Sequence, residues 1–268
     1  MSHRLALTPA EQADFEEFKA RVRRRTGLDL SLYSEAQMHR RLAGLLERAR
    51  VDSFAAYSQL IESDPAELSA FLDRLTIHVS ALFRNPEKWL ELREQVLLPA
   101  AALGRALRVW SAGCSFGAEP FSLAMLLDDV APRQRHYLLA TDVDPSILDR
   151  ARRGVFSEQE IQSVPPRYRH SYLTPQPDGF HAAERLRERI TFRQHDLLRD
   201  PFETGFDLIV CRNVVIYFTE EAKGALFRRF AASLRPGGHL FLGSTERMPN
   251  ARELGFSSPV PFLYRREA

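Results

Sequence analysis

The chain has 268 residues, 44% hydrophobic and 27% charged, the make-up of a globular protein with one or two cores. A formal net charge of only +2 argues against a strongly basic nucleic-acid binder, and no apolar run approaches the ~18 residues of a membrane span. Two cysteines, Cys114 and Cys211, are too few for a disulfide framework. With no signal-type apolar core before Glu11, they are expected to be reduced core residues in a cytoplasmic protein.

The first hundred residues read as helical. Thr8-Pro9-Ala10-Glu11 is a capping box with Pro at the first helical position, opening a helix to about Arg25 that ends near Gly27. Ser34 caps the next, to about Arg50, with Met38, Leu42, Leu45, Leu46 and Ala49 on one face and Arg40, Arg41 and Arg48 on another. From Lys19 to Arg50 nine Lys or Arg face three acids, a local excess of six positive charges. Such a run is ordinarily a solvated face, and otherwise a docking face for an acidic partner. A short helix is predicted from Ser53 to about Ile61. Another starts at Asp64-Pro65, with Leu68, Phe71, Leu72 and Leu75 at helical spacing. After Thr76–Arg84, Asn85-Pro86 opens a helix through Trp89, Leu92 and Val96, and Pro99 and Gly104 mark the passage into a second domain. The expected division is a helical domain over 1–85, a linker helix over 86–105 and an α/β domain over 106–268.

The second domain is organised around Leu107–Leu127. Val109 and Trp110 are strand formers. Ala112, Gly113, Ser115 and Gly117 are small enough for backbone to approach a ligand. A helix is predicted from near Glu119, with Pro120 at its first position and Leu123, Leu126 and Leu127 facing a sheet. His136–Thr141 is a second strand, and Asp142 follows where nucleotide folds place a carboxylate for ribose hydroxyls. Pro145 opens a helix ending at Gly154. Residues 155 to about 190 break the βαβ rhythm, and the hairpin-like run Tyr172–Phe180 predicts a small β insertion at about 170–190. Strands follow at Ile190–His195, ending at Asp196-Leu197, and at Phe206–Cys211, ending at Arg212-Asn213. Thr219, with Glu220 and Glu221 in the first turn, starts a helix to about Leu234. Pro236-Gly237-Gly238 turns into a strand at His239–Gly243, and a final strand is expected near Val260–Arg265. Strands alternating with helices predict a mostly parallel sheet.

No Lys follows Gly117, which excludes a phosphate loop of the ATP- and GTP-hydrolysing type, and the dinucleotide pattern lacks one of its glycines. The turn fits a nucleoside ligand without a pyrophosphate. A late Pro-Gly-Gly turn entering a strand is typical of S-adenosylmethionine-dependent methyltransferases.

Five segments in order carry a family resemblance. Leu75–Arg84 resembles L-T-x-N-x-T-x-F-F-R, and Val109–Ala124 resembles V-W-S-A-G-C-S-T-G-E-E-P-Y-S-I-A. Ala140–Asp144 resembles A-T-D-I-D, Cys211–Phe218 resembles C-R-N-V-L-I-Y-F, and Leu242–Glu246 resembles L-G-H-S-E. The chain resembles, over nearly its whole length, the CheR family of chemotaxis receptor methyltransferases, which are protein-glutamate O-methyltransferases. It departs from the pattern at His78 for Asn, Ser80 for Thr and Ala118 for the first Glu of G-E-E-P. The resemblance implies an all-α N-terminal domain, then a Rossmann-like S-adenosylmethionine-dependent methyltransferase domain with a small β insertion.

By that resemblance His78, Ser80 and Arg84 contact the cofactor, S-adenosyl-L-methionine or its product S-adenosyl-L-homocysteine, from the linker segment. Ala112, Gly113, Glu119, Asp142, Asp196, Leu197, Arg212 and Asn213 contact it from the sheet edge. The chemistry of the side chains agrees for Asp142 with ribose, Asp196 with an adenine amino group and Arg84 with the methionine carboxylate. Arg84 and Tyr217 are the expected catalytic residues, Tyr217 orienting the acceptor through its hydroxyl. Asn213-Val-Val-Ile-Tyr217 stands where amino-group methyltransferases often carry Pro-Pro-Tyr, which argues against a nucleobase acceptor. The implied partner is the acidic cytoplasmic helix bundle of a methyl-accepting chemotaxis receptor, met by Arg40, Arg41 and Arg48, with the enzyme a monomer. The short loop at Pro175–Gly179 predicts independence from a receptor C-terminal pentapeptide. Two alternatives are a methyltransferase for another protein or small acid, and a non-catalytic S-adenosylmethionine-binding regulator.

Overall fold

A capping box sets the first helix, α1 (Pro9–Thr26): the Glu11 amide donates to Thr8 Oγ1 at 3.3 Å and the Thr8 amide to the Glu11 carboxylate at 2.7 Å. Gly27 closes it in the left-handed region at φ +81°. The computed structural model describes residues 8–75 and 80–267, without the side chains at 36, 37, 39, 40, 41, 43 and 73. The chain forms two compact units, one of residues up to Ile77 with Tyr217–Ala222, the other of His78–Ile216 and Lys223–Ala268.

In the helical unit α2 (Glu35–Ala49), α3 (Phe54–Ser63) and α4 (Pro65–Leu75) follow α1. Ser34 holds the N-cap position of α2 but its side chain makes no capping bond, contrary to expectation. The Asp14 carboxylate instead caps α3 from α1, accepting the Phe54 and Ala55 amides at 2.7 and 2.9 Å. Phe15, Phe18, Phe54, Tyr57 and Phe71 form an aromatic core, with Phe15 and Phe54 ring centres 4.9 Å apart. Tyr217–Ala222 joins this unit: the Ser34 amide donates to the Tyr217 carbonyl and the Thr219 amide to the Leu32 carbonyl, both at 2.9 Å.

In the sheet unit α5 (Pro86–Leu92) runs through a π turn at Arg93–Leu97 into α6 (Leu98–Ala101). Then come β1 (Arg108–Ala112), α7 (Ala118–Val130), β2 (Tyr137–Asp142), α8 (Pro145–Arg153), β3 (Val155–Phe156), α9 (Glu158–Ile161), α10 (Pro166–Tyr172), β4 (Leu173–Gln176), β5 (Gly179–Ala182), α11 (Glu184–Arg187) and β6 (Ile190–Gln194). β7 (Phe206–Cys211), α12 (Glu220–Ser233), β8 (Leu234–Leu242), β9 (Phe256–Val260) and β10 (Leu263–Arg266) complete the chain. The main sheet has the order β6-β2-β1-β7-β8-β10-β9, its first five strands parallel, β10 antiparallel to β8 and β9 antiparallel to β10. The chain leaves β1 toward β2 and β6 and later returns to β7 on the other side, so the strand order reverses between β1 and β7. In open α/β sheets that point is where ligands bind.

Five expectations need correction. α7 begins at Ala118, one turn-residue after Gly117 at φ +96°, which puts Pro120 at the third position rather than the first. α7 is also buried all round, Phe121, Ala124 and Met125 as well as the leucines, because the π turn and α11 pack its other sides. β8 begins at Leu234, with Pro236-Gly237-Gly238 inside it as a bulge where the pairing with β7 slips. The final strand is a hairpin of β9 and β10, its turn made by Pro261 and by Phe262 at φ +69°. The insertion is a separate three-stranded sheet, β3-β5-β4, whose first strand, Val155–Phe156, precedes the expected range. Among the described residues no helix is long and apolar enough to cross a membrane.

Candidate functional site

The turn after β1 hangs from the end of β2. The Gly113 and Cys114 amides both donate to the Thr141 carbonyl at 2.8 Å, and the Ser115 amide donates to Asp142 Oδ2, also at 2.8 Å. Asp142 Oδ1 accepts the Asp144 amide at 3.2 Å. Asp142 is buried, and a carboxylate oxygen can accept more than one hydrogen bond. Gly113, at φ +81°, follows the fully buried Ala112, and a Cβ on it would lie 2.5 Å from Val214 Cγ2. The loop after β7 is therefore pressed onto the glycine turn, which only a residue without a side chain allows. Cys114 and Cys211 are buried free thiols, and burial raises both well above their ordinary range.

Glu119, in the first turn of α7, accepts from Ser111 Oγ at 2.7 Å. Burial pushes its carboxyl up to about 7; Arg212 and the Ser111 hydroxyl oppose the shift and Glu246 adds to it. Arg212, at the end of β7, is 8% exposed. One of its nitrogens, Nη2, donates to the Arg84 carbonyl at 3.1 Å and to Asn85 Oδ1 at 3.0 Å. Its guanidinium lies 5.2 Å from the ring centres of both Trp89 and Phe241. Burial lowers its pKa, with Glu119 pulling it back up, and its buried Nε has no hydrogen-bond partner among the described residues. An unsatisfied charged donor in a buried place is costly unless something arrives to accept from it.

Asp196 follows β6. Its Oδ1 accepts the Leu198 amide at 2.8 Å, its own amide donates to Asp200 Oδ2 at 2.9 Å, and burial raises its carboxyl. The neighbouring Leu197 carbonyl accepts from Arg229 Nη1 at 2.6 Å, and the Arg229 guanidinium stacks 3.9 Å above the Phe202 ring centre. Pairing of β1 with β2 (Ala112 with Thr141) and of β2 with β6 (Asp142 with Gln194) sets these strand ends side by side. β7 flanks β1 on the other side.

The residues before α5 reach the same place through their backbone. The Phe83 amide donates to Ser122 Oγ of α7 at 2.9 Å and the Leu82 amide to the Glu160 carbonyl at 2.8 Å. Ser80 is half-buried, and the Arg84 side chain is exposed while its carbonyl also accepts from Trp89 Nε1 at 3.0 Å. His78 lies outside the described residues. Tyr217 belongs by its contacts to the helical unit. Arg40 and Arg41 lie on α2, with side chains outside the description, and Arg48 pairs with Glu67 at 2.8 Å.

One residue had a place in a motif but no expected role. Glu246 is 2% exposed, and its carboxylate accepts the Asn213 and Gly243 amides at 2.7 Å each and the Ile216 amide at 3.3 Å. An acid three residues after a glycine at a strand end was the only signal for it in the sequence.

Residues 78–259 match the family described as CheR methyltransferase, SAM binding domain, and residues 13–76 match the CheR methyltransferase all-alpha domain. A chemotaxis protein methyltransferase of Listeria monocytogenes is 39% identical over 259 residues, covering 96% of this chain and 99% of the relative. Chemotaxis protein methyltransferase 2 of Pseudomonas aeruginosa is 32% identical over 251 residues, covering 90% and 89%. The sheet unit thus carries an S-adenosylmethionine-binding domain behind an all-α one, and the chain belongs to the CheR methyltransferase family.

Proposed function

We propose that this chain transfers a methyl group from S-adenosylmethionine to glutamate side chains of methyl-accepting chemotaxis receptors, forming methyl esters for sensory adaptation. The observation that carries the reading is the set of side chains at the strand reversal. Gly113 has no room for a Cβ, Asp142 and Glu119 sit beside its turn, and Arg212 holds a buried Nε with no partner among the described residues. That set fits the cofactor, which bears a sulfonium, an ammonium, one carboxylate, a ribose diol and an adenine.

Glu119 would hold the ammonium, Arg84 the methionine carboxylate, Asp142 the ribose hydroxyls, and Asp196 with Leu197 the adenine. Ser80, Ala112, Arg212 and Asn213, with His78, would complete the cradle. Bound there, the cofactor supplies an electrophilic methyl group on a positive sulfur. The acceptor carboxylate, with an ordinary pKa near ~4.3, is ionised at neutral pH and needs no general base. The protein's task is to desolvate that carboxylate and align it with the methyl group. Tyr217 would orient it through the phenol hydroxyl. Arg40, Arg41 and Arg48 of α2 would meet the acidic receptor bundle, Arg48 exchanging its pairing with Glu67 for the receptor. The insertion hairpin turns tightly between Gln176 and Gly179, which supports docking without a receptor C-terminal pentapeptide.

The test is incubation with methyl-labelled S-adenosylmethionine and a receptor cytoplasmic fragment. The expected product is a labelled receptor that releases methanol in base. Base-stable label would indicate another acceptor, and S-adenosylhomocysteine binding without any transfer would indicate a regulator.

A further inference from the structure

The loop after β7 carries Arg212 and Asn213, and no ladder bond holds its tip. Asn213 sits in the left-handed region at φ +60°. Between Arg212 and Tyr217 two of its amides bind one carboxylate. Glu246 lies in the segment after β8 and gathers the amides of Asn213, Ile216 and Gly243. The fit is tight at Gly243, where a Cβ would lie 2.7 Å from Glu246 Oε2 and 3.0 Å from the Asn213 nitrogen. On its other side the loop presents Val214 to Gly113, where no Cβ fits. A chain of direct contacts thus runs from Glu246 through the loop to the glycine turn.

We propose that Glu246 is a positioning residue for the cofactor site, its buried carboxylate setting the 213–216 loop against Gly113 so that the two turns keep the spacing the cofactor needs. This rests on the cofactor reading above. In the described contacts the Asn213 and Ile216 amides converge on this one acceptor. Replacing that acceptor takes a charged partner from the Asn213, Ile216 and Gly243 amides and lets Val214 shift over the turn.

Two variants disturb the arrangement from opposite sides. Glu246→Gln keeps the volume, removes the charge and points an NH2 at N–H donors. Gly243→Ala keeps the charge and displaces it. Both are titrated with S-adenosylhomocysteine beside the wild type and Asp129→Ala, a change in the last turn of α7, where Asp129 accepts from Tyr168 and Arg93. Circular dichroism checks that each is folded.

Both variants are expected to weaken binding about tenfold and to raise the KM for S-adenosylmethionine in step, with kcat at saturating cofactor within about threefold of wild type. Asp129→Ala is expected to bind as wild type does despite a lower melting temperature, which separates positioning from general loss of stability. Folded variants whose Kd stays within about twofold of wild type would overturn the role of Glu246. If Glu246→Gln fails to fold, Gly243→Ala decides the matter. A wild type that binds no S-adenosylhomocysteine would instead sink the cofactor reading itself.

Discussion

At the scale of single residues, Glu119 makes the sharpest prediction. Its carboxyl is displaced from an ordinary 4.5 to about 7 because burial penalises the charge. A raised pKa means that the folded chain holds this proton more tightly than the unfolded chain. The stability so gained is complete below 4.5 and is lost as the pH climbs through about 7. On the proposed pairing of Glu119 with the cofactor's ammonium, affinity runs the other way, because that pairing needs the ionised form. Calorimetry should show S-adenosylhomocysteine binding weakening below about pH 7, toward tenfold per pH unit, with protons released on binding. Glu119→Gln should bind more weakly and with a flat profile. An equally flat wild-type profile would contradict the role of Glu119. Gly113→Ala tests the neighbouring turn: strain at φ +81° and the 2.5 Å approach to Val214 should lower stability by at least about 1–2 kcal/mol and weaken the cofactor, read by thermal melting and titration.

At the scale of elements, Asp129 links the insertion to α7. It accepts from Tyr168 at 2.8 Å and from Arg93 Nε at 3.0 Å, and Tyr168 is buried with its phenol pushed up to about 12. Asp129→Ala should lower unfolding free energy by about 1–3 kcal/mol in denaturant titration by stranding that phenol. The same scale shows what the residues announced. Local chemistry marked the start of α1 at Thr8-Pro9, the end of α8 at Gly154 and the start of α12 at Thr219, whose hydroxyl accepts the Ala222 amide at 3.2 Å. Elements held by partners distant in the chain were silent. β3 is two residues paired to β5, and the β9–β10 hairpin turns on Phe262, where no glycine or asparagine signals it. The site followed the same rule. Residues at strand ends, such as Asp142 and Asp196, were legible from the alternation of strands and helices. The bond from Arg212 to the Arg84 carbonyl and the convergence of amides on Glu246 join segments far apart in sequence, and no local pattern encodes them.

At the scale of the whole molecule, the net charge of +2 hides a basic stretch between Lys19 and Arg50. If that stretch meets an acidic receptor, Arg40→Glu with Arg41→Glu should slow receptor methylation about tenfold at low salt while leaving S-adenosylhomocysteine affinity unchanged. The difference should shrink as salt screens the charges, toward a Debye length of about 3 Å at 1 M. The central claim is that the ends of β1, β2, β6 and β7 seat the cofactor. Its most direct test is calorimetric titration of wild type and Asp142→Ala with S-adenosylmethionine and S-adenosylhomocysteine. The account predicts wild-type binding to both and at least tenfold weaker binding in the variant, about 1.4 kcal/mol or more. Wild type that binds neither compound, or a variant that binds as tightly as wild type, would contradict it.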